Sequence, residues 1–273
     1  MGNQHPRHLI LLLSALLLLL ACGPGTAAPG KGDAPAAAPA APTAAPAPPA
    51  PKPAAPTAAP KSAPVPPSGP GNLFPNPSFE EGRSPWYAIL EPAKPYWADF
   101  EVSAAKAHTG RYSARLPLRS EGYTGKVRIY GAVQEVSPKE MPRRIGGWYR
   151  VEGWKRGATN QYLQAVVIVW QPANVAAFKD SNVQVSFVLG GITAPPFQIA
   201  NRKFHFTGPL EPRQGEWVPF EFDLHEAFLK DWGVVPAGFQ KLRILFEVRF
   251  DGRDAAGPPA SADVYYDDLY VGP

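Results

Sequence analysis

From Asn72 onward the chain carries a repeat of two. Leu242, Ile244, Phe246, Val248 and Phe250 interleave with Lys241, Arg243, Glu247 and Arg249, and Val183, Val185, Phe187 and Leu189 interleave with Gln184 and Ser186. Successive residues of an extended chain point to opposite faces, so such runs specify strands with one face turned to a core. Ile145 to Val151, Tyr162 to Trp170, Val127 to Tyr130, Lys203 to Phe206, Val218 to Leu224 and Val264 to Val271 read the same way, and Gly, Pro, Asn and Asp punctuate them. Helical periodicity is confined to one short candidate, His225 to Asp231. About nine strands predict an all-β domain over residues 72–273, a two-sheet antiparallel β-sandwich of jelly-roll type. A domain of this size buries a sufficient core without disulfides or metal. The stretch Gln171 to Gly215 exceeds an ordinary loop, and its two strand-like runs predict an extra hairpin layer.

Residues 1–71 are of another kind. Arg7 and His8 precede thirteen apolar or small residues, Leu9 to Ala21, and then Cys22. That run is well short of the roughly 20 residues of a spanning helix, so 1–21 reads as a signal peptide. Leu19-Leu20-Ala21-Cys22 resembles the bacterial lipobox, which implies cleavage before Cys22 and acylation of its sulfur. An ordinary secretory signal followed by an unmodified cysteine is the alternative. Cys22 is the only cysteine, so no disulfide forms within the chain. Residues 22–71 are Pro- and Ala-rich, as in AAAPAAPTAAPAPPAPKPAAPTAAP. Frequent proline holds such a tether extended at roughly 3.1 Å per residue. The expected localisation is the bacterial cell envelope, with the membrane as a partner through lipidated Cys22; Gly23 after the cysteine favours the outer membrane.

The net charge of +4 resides mostly in the leader and tether, because residues 72–273 hold 23 Lys and Arg against 22 Asp and Glu. A clustered basic face is missing, which disfavours nucleic acid as a partner. Catalytic signatures are absent too. The domain has no thiol and no Gly-x-Ser-x-Gly elbow, and His225-Glu226 lacks the second histidine of a zinc-protease motif because Leu229 stands there. Two carboxylates suffice for a glycosidase, and Glu135 and Glu247 are conceivable members. The expectation is a protein that is not an enzyme.

Three segments carry a family resemblance. Asn72-Leu73-Phe74-Pro75-Asn76-Pro77-Ser78-Phe79-Glu80-Glu81-Gly82, His108 to Leu116 and Tyr265-Tyr266-Asp267-Asp268-Leu269-Tyr270-Val271 occur in the order seen in carbohydrate-binding modules with the galactose-binding-like jelly roll, which they resemble. The resemblance implies a structural Ca²⁺, with carboxylates from Glu80 and Asp267, help from Asp268, and backbone oxygens near Thr109 and Arg111. The residues themselves show a change of inward parity across Asp267-Asp268, which a β-bulge explains.

The resemblance also implies a polysaccharide ligand. Trp148 and Arg150 share one strand face, Tyr162 and Gln164 another, and Glu247 with Arg249 a third; in one sheet they make a concave patch with Trp148 as the stacking platform. Trp148 packed under a loop is the competing reading. Trp86 and Trp217 read as core, and Tyr96, Trp97, Tyr123 and Trp154 as loop contacts. The sequence thus predicts a membrane-anchored, non-catalytic glycan-binding lipoprotein, against two alternatives: an envelope protein that binds other proteins, and a carbohydrate-processing enzyme.

Overall fold

A computed structural model describes residues 70–273; the expected signal peptide, Cys22 and tether lie outside these residues. Eleven strands and one helix follow in order: β1 (Trp97–Ala98), β2 (Glu101–Ser103), β3 (Ser113–Arg119), β4 (Arg128–Val136), β5 (Arg144–Lys155), β6 (Asn160–Trp170), β7 (Asn182–Gly190), β8 (Arg202–Phe206), β9 (Trp217–Asp223), α1 (Leu224–Trp232), β10 (Lys241–Asp251) and β11 (Ser261–Gly272). One sheet has the order β1-β4-β10-β6-β7-β8, the other β2-β3-β11-β5-β9. From β3 to β6 and from β9 to β11 the chain alternates between them, as in a jelly roll. Pairing is antiparallel except at β1 with β4 and at β7 with β8.

The period of two has the expected consequence. Leu242, Ile244, Phe246, Val248 and Phe250 of β10 and Leu163, Ala165, Val167 and Val169 of β6 face the same core as Ile145, Tyr149 and Val151 of β5 and Val264 and Tyr266 of β11. Phe246 is its hub, with ring centroids 5.5 Å from Tyr266, 6.0 Å from Trp86 and 6.1 Å from both Phe74 and Phe220. Each such pair adds about 0.5–1.5 kcal/mol beyond its burial. Helix α1 is fixed at both ends. The Asp223 side chain accepts from the Glu226 amide, and Gly233 takes the left-handed conformation after its last turn.

The opening segment lies against the last strand: Leu73 donates its amide to the Val271 carbonyl at 2.8 Å, and Leu269 to that of Pro77 at 3.0 Å. The expected bulge is present. In the β5–β11 ladder Trp148 faces Asp267 but Gly146 faces Tyr270, so β11 carries one extra residue, and Asp268 has φ 50°. Gly147 makes the bulge possible, because at φ 151° an added Cβ would lie 2.7 Å from the Leu269 side chain.

Gln171 to Gly215 is a correction. It forms neither a hairpin nor an added layer: β7 and β8 extend the first sheet, and their parallel pairing forces the connection, residues 191–201, to cross over rather than turn tightly. Trp154 is a second correction, being buried within β5 rather than placed in a loop.

Gly147→Ala should destabilise the protein by about 2 kcal/mol through backbone strain and overpacking at the bulge. Urea unfolding with an unchanged slope and a lowered midpoint is the expected record.

Candidate functional site

Four of the six predicted ligand residues meet on the outward face of the first sheet. The register sets Gln164 opposite Glu247 and Tyr162 opposite Arg249. Gln164 Nε2 donates to Glu247 Oε2 at 2.6 Å, and the Tyr162 hydroxyl to Asp251 Oδ2 at 2.7 Å. Arg249 donates to both oxygens of Asp251, from Nε at 3.0 Å and Nη2 at 2.6 Å, and lies 3.8 Å from Glu247. On the neighbouring strands Arg202 Nε donates to Ser186 Oγ at 2.8 Å. Sequence reading missed Asp251, Ser186 and Arg202; Asp251 was legible, because it continues the 247, 249 parity of β10.

This polar set is buried, with Gln164 and Ser186 fully covered and Arg249 only 6% exposed. The cover includes the β7–β8 connection, whose Phe197 ring lies 5.7 Å from the Arg249 guanidinium and 5.5 Å from that of Arg202. Burial works against the charge on both arginines. For Arg249 it is outweighed by Tyr162, Asp251 and Glu247, which raise the pKa; for Arg202, with no ion pair among the described residues, burial prevails and lowers it. Two donor or acceptor atoms are left unused: Gln164 Oε1 and Arg202 Nη2.

Beside them runs a half-buried aromatic edge. Gly131 carries no side chain, and a Cβ there would sit 3.3 Å from the Trp97 ring and 3.5 Å from Glu247 Cγ, so glycine lets the indole stand next to the carboxylate side chain. Trp97 then packs with Tyr87, Ile89 and Ile168 around Val133, Val166 and Leu245. A cleft of about 470 Å³, lined by Phe197, Arg202, Lys203 and Phe204 among others, flanks the set on its β8 side.

Trp148 and Arg150 stand elsewhere. They belong to β5 in the opposite sheet and cannot join the other four. Trp148 is no open platform, because the His108 ring stacks on it at 3.9 Å, and Trp217, expected in the core, is half-buried beside them at 5.6 Å from His108. Arg150 pairs with Glu152.

The predicted calcium residues do converge, through the bulge. Glu80 Oε1 accepts from the Arg111 and Tyr112 amides, both at 2.8 Å. Asp267 Oδ2 accepts from the His108 amide at 2.7 Å, and its Oδ1 from the Asp268 amide at 2.8 Å. Asp268 Oδ1 accepts from the Ser78 and Thr109 hydroxyls at 2.7 and 2.6 Å, while its Oδ2 meets His108 Nδ1 at 2.5 Å. Ca²⁺ takes only oxygen ligands. Here N–H and O–H donors hold the carboxylates, and among the described residues no group of three His, Cys, Asp or Glu is placed to hold a metal. As arranged, the cluster is a hydrogen-bonded clasp and does not fit the ion.

No family model and no curated protein matches the chain. Solved structures do, and they include carbohydrate-binding modules. One is a family 61 module in complex with β-1,4-galactotriose, 18% identical over 73% of this chain and 97% of that one, with a TM-score of 0.37. Another is the family 22 tandem domain of Xyn10C from Paenibacillus barcinonensis, 18% identical over 75% of this chain and 51% of that one, with a TM-score of 0.40. A family 28 module specific for non-crystalline cellulose is 10% identical over 74% and 96%, with a TM-score of 0.37.

Burial and the neighbouring Asp268 push the Asp267 carboxyl from 3.8 up to about 7. The folded protein therefore holds a proton there that the unfolded chain has released, and the associated stability, complete below pH 4, is lost as pH rises through 7. Asp267→Asn keeps an acceptor and removes the titration. Relative to that variant, the native protein should lose several degrees in Tm between pH 4 and 8; parallel Tm curves would refute the assignment.

Proposed function

We propose that the outward face of the β1-β4-β10-β6-β7-β8 sheet binds a glycan and that the protein is a non-catalytic binding protein. The reading rests on one observation: a hydrogen-bonded set of Tyr162, Gln164, Glu247, Arg249 and Asp251 is buried on a face turned away from the core. A buried ion network contributes less to stability than well-packed apolar residues of similar volume, so its presence argues for a use other than folding. Fixed carboxylate, amide and guanidinium groups beside an indole are what a sugar ring requires, namely directional partners for hydroxyls and an apolar surface for its C–H face. Trp97 supplies that surface.

On this reading Trp97→Ala weakens retention of the full chain in polysaccharide affinity gels by about tenfold in association constant, the worth of one stacked ring. Trp148→Ala, in the opposite sheet, leaves retention unchanged. Absence of retention across a panel of neutral and acidic polysaccharides, or dependence on Trp148 in place of Trp97, would sink it.

Carriage on a lipid-anchored, exported chain belongs to the same proposal and is supported by the Leu19-Leu20-Ala21-Cys22 motif. More than one acyl chain on Cys22 makes attachment to a membrane stable. In cells fed labelled palmitate the protein should take up label and sediment with membranes, and Cys22→Ser should abolish both.

A further inference from the structure

At one end of the sandwich, apart from the face just described, the β3–β4 and β10–β11 connections enclose a cleft of about 460 Å³ lined by Thr124, Lys126, Gly252, Arg253, Asp254 and Ala255. Arg253 is 8% exposed. Its guanidinium donates from Nη1 to the Tyr123 carbonyl, while Nε has no partner. Its backbone amide is tied to the Lys126 carbonyl at 3.0 Å, which fixes the side chain's root beside Lys126.

Arg249, equally buried, is held by both oxygens of Asp251 and lies near Glu247, whereas Arg253 makes no ion pair among the described residues. A buried cation without a counter-ion is costly, and its partner must come from elsewhere. Asp254 makes no ion pair with it; the Asp254 Oδ1 accepts the Ala256 amide in its own turn at 3.0 Å. Lys126 is exposed on the rim and adds a second positive charge. If bracing the Tyr123 loop were its only task, the Nη1 bond would suffice and a neutral donor would do the same at lower cost.

We propose that this cleft binds the carboxylate of an acidic glycan, with Arg253 as the buried cation and Lys126 as the cation at its mouth. The anion follows from the cleft alone; its source in a glycan rests on the proposed function. Charge-assisted hydrogen bonds to an oxyanion are about twice as strong as neutral ones, so the carboxylate decides binding here.

The test is calorimetry of the full chain with trigalacturonate, its neutral methyl ester and sodium sulfate. Trigalacturonate should bind and the ester should not. Lys126→Ala, a change on the exposed rim that leaves the fold intact, should weaken binding about fivefold, and Arg253→Gln at least about tenfold. Equal binding of acid and ester, no binding of the acid, or indifference to Lys126→Ala would overturn the proposal, even where Arg253→Gln fails to fold. Sulfate binding as tightly as trigalacturonate would overturn the glycan source. Loss of neutral-polysaccharide retention on Trp97→Ala reports on the sheet face alone, so failure of either site is read separately.

Discussion

The last strand is the member on which the rest of the domain depends. β11 lies between β3 and β5 in the middle of its sheet, so its twelve residues must arrive before that sheet can close. Pairings of such sequence separation carry a large loop-closure cost before any contact is made, which places this domain among slow, non-local topologies. The opening segment locks the strand once it is in place. The Leu73 amide donates to the Val271 carbonyl and the Leu269 amide to that of Pro77, and the extra residue at Asp268 turns both aspartates toward the His108 loop. A regular strand would send those two side chains to opposite faces. One inserted residue thus joins three distant parts of the sequence, and Gly147 is the concession on the neighbouring strand that gives it room.

The same strands produce two surfaces of different character because a sheet has two faces. Inward, β10 contributes only apolar side chains; outward, Glu247, Arg249 and Asp251 follow one another at the alternate positions. Satisfaction of that outward set is nearly complete. Arg249 has two carboxylates, Tyr162 shares Asp251, and Gln164 holds Glu247, so removal of any one member strands a buried charge or dipole. Such a network is rigid without being a source of much net stability. Rigidity is the property a binding floor needs, since groups already oriented lose little freedom when a ligand arrives.

What the sequence revealed follows from what alternation encodes. Parity within a strand told which residues share a face, and Tyr162 with Gln164 and Glu247 with Arg249 were grouped correctly on that basis. It also located the bulge, because the apolar residues change sides between Tyr266 and Leu269. Strand order, however, is set by long-range pairing that leaves no mark on local periodicity, so nothing in the residues told that β5 belongs to the other sheet and carries Trp148 and Arg150 away from the rest. Aromatic identity misled for a related reason. Trp217 is the first residue of β9, one place out of phase with the inward Val218, Phe220 and Phe222 only if the strand's own inward set is known to start at an even number. Glu152 and Gly153 interrupt the apolar pattern before Trp154, yet β5 continues through them to Lys155.

Buried Arg249 and Arg253 and half-buried Arg202 show why burial alone does not identify a site. Arg249 is compensated by the carboxylates of its own network and needs no further counter-ion. Arg202 is half compensated, with Ser186 at its Nε and the rings of Phe197 and Phe204 5.5 and 5.0 Å from its guanidinium, where cation–π attraction replaces part of the lost hydration. Arg253 has one carbonyl. Ranked this way, the demand for an external partner rises from the first to the third, and it rises in the order in which the side chains line open clefts: Arg249 lines none of those described above, Arg202 borders the one beside β8, and Arg253 borders the one between the loops. Uncompensated charge and accessible space coincide, and that coincidence is the physical ground for expecting an anion at the loop end.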